Sequence, residues 1–261
     1  MAQNEAECPV PLIKSPDTAP FYGKKTCSIV GHIGNVKLAI PQNYILGPVA
    51  YKGVDIWNAE SYKKRPKHPT LDTEIDNFAI KIRLNNFRPI ESRKDAEDYD
   101  KLGSAAAASQ PPENRWIYVE FFTHDVTVTG RTSKNQMLLW LKDDAKRGPY
   151  IKSQSTWNLD HYISTQKPIT LRNPYKQIGQ FEFYYDPKTE DTFAHCENVL
   201  RLPLDESQAP HEIFTHCHID FLLRDLNLEA SVDNIYAKDD LARWPEIEQS
   251  IRQLVLSFVV Q

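Results

Sequence analysis

The sequence predicts an α+β fold: antiparallel sheet with few helices, among them an amphipathic helix at the C-terminal end. Three observations predict it. Two stretches alternate apolar and polar residues at the period of a strand. In 76–84, Phe78, Ile80, Ile82 and Leu84 share one side and Lys81 and Arg83 the other. In 212–223, Ile213, Thr215, Cys217, Ile219 and Phe221 fall on one side. The closing segment instead repeats Trp244, Ile247, Ile251, Leu254, Val255 and Phe258 at three- and four-residue steps, the period of a helix with one apolar face. Glycine is scarce (9) and proline plentiful (18), which favours stiff, extended connections.

The elements follow in order. Residues 9–28 hold several prolines and read as a lead-in with little regular structure. Segment 28–40 alternates at Val36, Leu38 and Ile40, a strand pattern, and 76–84 is a half-buried strand. Segment 91–99 is charged and lacks Gly and Pro, so it reads as a short exposed helix. Small residues and a Pro pair at 103–112 read as a surface loop or linker. It divides the chain into an α+β half over 1–102, a linker over 103–114 and a second α+β half over 115–261, with a loose two-fold similarity of the halves left open. Segment 116–128 reads as a long strand or hairpin, and 133–142 as a helical turn. Segment 180–185 is a strand turning through Asp186-Pro187-Lys188-Thr189 into another near Phe193–Cys196. Further strands follow at 212–223 and 228–237. Pro245 suits the first turn of the last helix, Glu246 and Glu248 suit its dipole, and Asp239-Asp240 reads as its cap.

Composition bounds the function classes. The 261-residue chain has 41% hydrophobic and 25% charged residues and a net charge of -4, which suits a globular protein and speaks against a general nucleic-acid binder. The one basic cluster, Lys63-Lys64-Arg65-Pro66-Lys67-His68, reads as a solvated loop. No stretch is long and apolar enough to span a bilayer, and no signal peptide is read. The polar start, 1–7, reads as a disordered tail. It fits either a native cytoplasmic start or a mature exported protein whose leader an initiating Met replaces. The four cysteines allow three pairings, of which the local one, Cys8–Cys27 with Cys196–Cys217, is simplest. Oxidised, they place the protein in an exported compartment; the alternative is four buried thiols.

No catalytic signature is present. The chain has no Gly-x-Ser-x-Gly elbow, Walker loop or dinucleotide fingerprint. His211, Glu212 and His216 miss the zinc-protease spacing by one residue and lie on a strand, where positions five apart face opposite ways. His195, Cys196, His216, Cys217 and His218 form one metal constellation. The preferred reading of it is a cross-strand disulfide with polar histidines on the solvent side, and no metal or cofactor is assigned. The acidic run Asp95, Glu97, Asp98, Asp100, with Tyr99 inside it, reads as a solvated face or as a patch offered to a basic partner.

One set of residues resembles a known family. Phe183-Tyr184-Tyr185-Asp186-Pro187 is followed by Cys196, a proline-bearing gap and Cys217-His218-Ile219-Asp220-Phe221. Then come Val232-Asp233-Asn234-Ile235-Tyr236, Leu241, Trp244 to Ile247, and Leu254-Val255-Leu256-Ser257-Phe258; near the N-terminus stands Ile40-Pro41-Gln42-Asn43-Tyr44. This layout resembles the immunity proteins of bacterial type VI secretion systems, in particular the periplasmic or lipoprotein antidotes of phospholipase-like and other cell-envelope effectors. It matches structural residues and no catalytic motif. The resemblance implies a non-enzymatic, periplasmic toxin inhibitor whose partner is a cognate effector protein, with a lipid anchor in the native precursor. On that reading the expected contacts are Asp95, Glu97, Asp98, Tyr99 and Asp100, and secondarily Tyr51, Trp57 and Tyr62. The alternatives are a non-catalytic envelope binding protein or secretion adaptor, and a zinc-dependent enzyme at the His/Cys strands.

Overall fold

The computed structural model describes residues 28–101, 114–123, 150–165, 169–170, 176–201, 212–236 and 238–260. Cys8, Cys27, most of the lead-in, the linker over 103–113, the end of the 116–128 strand and the 133–142 segment lie outside them.

The chain opens on a hairpin. Strands β1 (Ser28–Ile33) and β2 (Val36–Pro41) pair from Ser28↔Pro41 to Ile33↔Val36. The strand pattern expected over 28–40 is thus two strands and a turn. Gly34, at φ +54°, makes the reversal that a side chain at that position would resist. Gly31 lets β1 approach its neighbour closely, since a Cβ there would come 2.8 Å from the Thr73 carbonyl oxygen.

Among the described residues, ten strands form one antiparallel sheet in the order β3-β4-β5-β12-β11-β10-β9-β7-β6, with β8 also on β9. These are β3 (Ala50–Tyr51), β4 (Ile75–Arg83), β5 (Trp116–Thr123), β6 (Tyr150–Lys152), β7 (Asp160–Ser164), β8 (Ile169–Thr170), β9 (Lys176–Tyr185), β10 (Thr192–Arg201), β11 (Glu212–Leu223) and β12 (Leu228–Ile235). The α+β class therefore holds. Strands on either side of the expected linker pair directly: β4 lies along β5 from Asn77↔Phe122 to Arg83↔Trp116. β5 in turn pairs with β12, from Leu228↔Thr123 to Asp233↔Tyr118.

The sheet has two faces because side chains alternate along each strand. On the first, Phe78, Ile80, Ile82, Val119, Phe121, Val232, Ile219 and Phe221 are fully buried. They form one cluster with Ile33, Leu38 and Ile40 of the hairpin and with the last helix. That helix, α4 (Trp244–Phe258), buries Ile247, Ile251, Val255 and Phe258, so its predicted apolar face is the one used. Fully burying one such side chain is worth about 2 kcal/mol. Phe258 meets Tyr44 edge-on, with ring centroids 5.1 Å apart. Trp244 donates from Nε1 to the Trp157 carbonyl at 3.1 Å, fixing the helix start.

Asp239 and Asp240 do not cap this helix. They belong to a separate short helix, α3 (Lys238–Leu241), and α4 follows Arg243 with no side-chain cap. Asp240 is buried and forms an ion pair with Arg115, just before β5. The Asp240 carboxylate is directed at Arg115, away from the first turn of α4.

The second face is mixed. At the β9–β10 end it holds a buried aromatic cluster of Phe181, Phe183, Tyr185 and Phe193. At the β4–β5 end it is covered by helix α2 (Arg93–Lys101), whose Ala96 packs with Ile90 and Trp116. Between these ends lies a polar strip.

Candidate functional site

Two regions hold the residues singled out from the sequence. The first is the polar strip of the second face. Cys196 and Cys217 are directly opposed on β10 and β11, with Cα atoms 4.1 Å apart, and are joined by a disulfide. Opposed cysteines in an antiparallel pair approach to about 4.5 Å where the flanking backbone bonds are widely spaced, so the ladder itself brings them together. Both are fully buried on the first face. Their neighbours His195 and His218 are also directly opposed, and alternation turns them to the second face. The metal constellation read from sequence is thereby divided, cysteines on one side and histidines on the other.

The histidines do not face open solvent as expected. His195 is only 9% exposed, and its ring stacks on Phe183, with centroids 5.4 Å apart, and on His218 at 5.7 Å. His216 and His218, two residues apart on β11, are half-buried. Asp233 of β12 meets both. Its Oδ1 lies 2.7 Å from His216 Nε2 and 3.5 Å from His218 Nδ1. The ring of Tyr236 stacks against His216 at 5.3 Å. Burial, reinforced by the neighbouring His216 and His195, lowers the pKa of His218 against the pull of Asp233. Burial alone would raise Asp233, but the His216 hydrogen bond and the charge of His218 hold it below the usual carboxylate range. Asp220, beside them, is pushed up to about 7 by burial despite a hydrogen bond from Ser231.

Sequence spacing found His216 and His218 but not Asp233. The register between β11 and β12 shifts between Cys217 and Ile219, and Asn234 takes φ +68°. An irregularity of that kind re-aims a side chain. The alternation of 228–233 puts Asp233 on the polar side of its strand, but nothing in the spacing puts it beside His216.

The second region is the surface expected to meet a partner. Residue 57 is its clearest member: Trp57 is 88% exposed. The loop that carries it is internally fixed. Asp55 Oδ1 accepts from the Trp57 amide at 2.9 Å, and the Asp55 amide donates to Ser61 Oγ at 2.8 Å. Asn58 caps the short helix α1 (Ala59–Tyr62), accepting from Glu60 N and Ser61 N. Tyr62 is half-buried with the Arg65 guanidinium 4.4 Å over its ring. Tyr51 differs: at 4% exposure it belongs to the core, so it supports the loop from behind and offers no surface.

The acidic run lies on α2 and splits in the same way. Asp95 turns inward. It pairs with Arg83 at 2.5 Å and accepts from Ser92 Oγ at 2.8 Å and the Glu91 amide at 3.2 Å. Burial would raise its pKa, but the bonds from Arg83, Ser92 and Glu91 lower it. Asp95 thus pins the helix to β4. Glu97 pairs with Arg93 at 3.0 Å on the outside, and Asp98 is half-exposed. The Tyr99 ring meets Trp116 edge-on at 6.0 Å and carries the Lys81 ammonium at 4.7 Å. Asp100 lies in the last turn of α2. The Trp57 loop and α2 stand at opposite ends of β4, since β3 pairs with its start and α2 contacts its Lys81 and Arg83.

No family model matches the sequence, and no curated protein matches it. Among solved structures, the chain is similar to the immunity protein Smlt3025 of the Stenotrophomonas maltophilia type IV secretion system. That match has 14% identity and a TM-score of 0.46, covering 90% of this chain and 94% of that one. It is also similar to FrpD, an iron-regulated outer membrane lipoprotein of Neisseria meningitidis. Here the identity is 12% and the TM-score 0.44, covering 89% of this chain and 92% of that one. At these TM-scores neither likeness decides fold or function.

Proposed function

We propose that this chain is an immunity protein: it binds a cognate secreted antibacterial toxin and neutralises it by occupying its surface, with no reaction of its own. The observation that carries this reading is Trp57, a large aromatic side chain 88% exposed on a loop fixed by its own hydrogen bonds. Burying an unpartnered Trp on a rigid support supplies affinity at small ordering cost, which is how interface hot spots work. Trp57 and Tyr62 form the apolar part of the proposed contact. Glu97, Asp98, Tyr99 and Asp100 form an acidic part that steers a basic partner. Tyr51 and Asp95 hold these two parts in place from beneath.

The sequence resemblance supports the finer reading, a type VI effector that acts in the cell envelope, with a lipase-like activity favoured. The Cys196–Cys217 disulfide supports a periplasmic location, where such bonds persist.

The test is rescue. The effector captured from the source bacterium is directed to the periplasm of a host cell, alone and with this chain. The expected result is loss of viability alone and recovery with the chain, weakened by Trp57→Asp. A non-toxic partner, or killing that the chain does not relieve, overturns the reading in favour of an envelope adaptor.

A further inference from the structure

The geometry points to a divalent metal site formed by His216, His218 and Asp233 on the second face of the sheet, taking a borderline ion of the zinc class. His216 and His218 stand two residues apart on β11, so the pleat sends both rings to the same side. Asp233 comes from the adjacent strand at the register irregularity, and the ligand atoms of the three residues all lie within 4.8 Å of one another. Two imidazole nitrogens and one carboxylate oxygen suit Zn²⁺, which prefers such donors at about 2.0 Å in a tetrahedron. Tetrahedral donors at that bond length lie about 3.3 Å apart. Asp233 Oδ1 is 2.7 Å from His216 Nε2 and 3.5 Å from His218 Nδ1, so small side-chain adjustments bring both to the required spacing.

The surroundings favour a held site over a chance cluster. Tyr236 stacks on His216 and His195 stacks on His218, which restricts both rings. Directly behind, the Cys196–Cys217 disulfide ties β10 to β11 between the two histidine positions. The Asn234 amide donates to Asp233 Oδ1 at 2.5 Å and orients the carboxylate. Three protein ligands leave a fourth position for water or a donor from a bound molecule. The competing account is a plain His–Asp hydrogen bond with no affinity for metal.

The decisive experiment uses untagged protein, freed of metal by chelation, and titrates it with Zn²⁺ against a chromophoric zinc chelator. The expected result is saturation at one ion per chain. Replacement by Co²⁺ should give the visible ligand-field bands of a four-coordinate site. His218→Gln and Asp233→Asn should each weaken uptake at least about tenfold. His68→Gln, at an exposed loop position outside the cluster, should leave uptake unchanged. Circular dichroism identifies any variant that fails to fold, and His216→Asn then replaces it in the comparison. No saturable uptake overturns the proposal, as does uptake that survives loss of His218 and Asp233. Equal weakening by His68→Gln removes this particular ligand set.

Discussion

Glu182 of β9 and Lys238 of α3 form an ion pair at 2.5 Å, 56 residues apart in the chain. Glu182 is 2% exposed and accepts further bonds from Tyr184 Oη at 2.6 Å, Asn198 Nδ2 at 3.0 Å and His161 Nε2 at 2.9 Å. One buried carboxylate thus gathers β7, β9, β10 and α3. Burial by itself would raise its pKa, but Lys238, Tyr184 and Asn198 hold it down to about 2, against an ordinary 4.5.

A folded-state pKa below the unfolded value means stability present above 4.5 and lost as pH falls toward about 2. Glu182→Gln should therefore cost about 3 kcal/mol at neutral pH, the scale of a carboxylate held from 4.5 down to about 2. The difference from the unaltered protein should shrink steadily as pH falls below 4.5. Urea unfolding at a series of pH values measures it, and a gap that does not vary with pH would show that the carboxylate is not ionised in the fold.

Asp220 works in the opposite sense. Its pKa is raised from 3.8 to about 7, so the fold prefers its neutral form. The penalty is absent below 3.8, grows as pH rises toward 7 and is complete above it. Asp220→Asn should stabilise the protein by about 2 kcal/mol at pH values above 7, discounted for the residue's partial exposure, and have little effect below pH 3.8. Thermal unfolding at the two ends of this range checks the sign.

The Cys196–Cys217 bridge closes a loop with a sequence separation of 21, for which chain entropy predicts about 3 kcal/mol. The double replacement of both cysteines by Ala should lower stability by about that amount. Because both residues are fully buried, alkylation after mild reduction should label them only when denaturant is also present. Labelling of the folded protein under the same conditions would show that the β10–β11 pair opens readily.

Trp57 and Tyr51 are separated by exposure, and their substitutions should separate accordingly. Trp57→Ala should leave thermal stability almost unchanged and weaken the bound partner by about 2 kcal/mol, roughly 30-fold. Tyr51→Ala should cost about 3 kcal/mol of folding stability. Calorimetry of folding and of binding on the same two variants distinguishes the roles; a destabilised Trp57→Ala would mean that its ring packs where the structure shows it exposed.

How much of this was legible in the sequence depends on the range of the interactions involved. Strands β4, β11 and β12 and helix α4 follow from local periodicity, because each buries one side against a continuous core; β9, buried on both sides over 181–185, follows instead from its aromatic run. Helix α2 follows from its charge and its lack of Gly and Pro. The short β3 has too few residues for a period. The Thr156–Leu159 turn places Trp157 at φ +56° and Asn158 at φ +65°, and a bulky aromatic in that conformation carries no turn signature. Helix α3 escaped because its acidic pair looked like a cap for the next helix; the Arg115 that claims Asp240 lies 125 residues away. The opposition of His195 and His218 was within reach because the flanking cysteines set the register. Asp233 was not, since its approach depends on an irregular pairing that no spacing announces. Tyr51 and Asp95 turn inward where a surface position is expected, because sequence alone does not distinguish a Tyr or Asp that turns inward from one that turns outward.

The hairpin and the end of α4 are closed onto each other. Leu38 forms an antiparallel bridge with Val259, and the Val260 amide donates to the Lys37 carbonyl at 2.9 Å. Residues 37 and 260 must therefore both be available before β2 acquires its lid. The central pairing of β5 with β12 likewise waits on chain made more than a hundred residues later. Folding element by element as the polypeptide emerges therefore cannot complete the central sheet until its last strands are made. β4 can cover part of the hairpin early, as the His32–Glu74 bridge shows, but the part that meets α4 stays uncovered until the far end arrives, leaving apolar surface open to premature contacts during that interval.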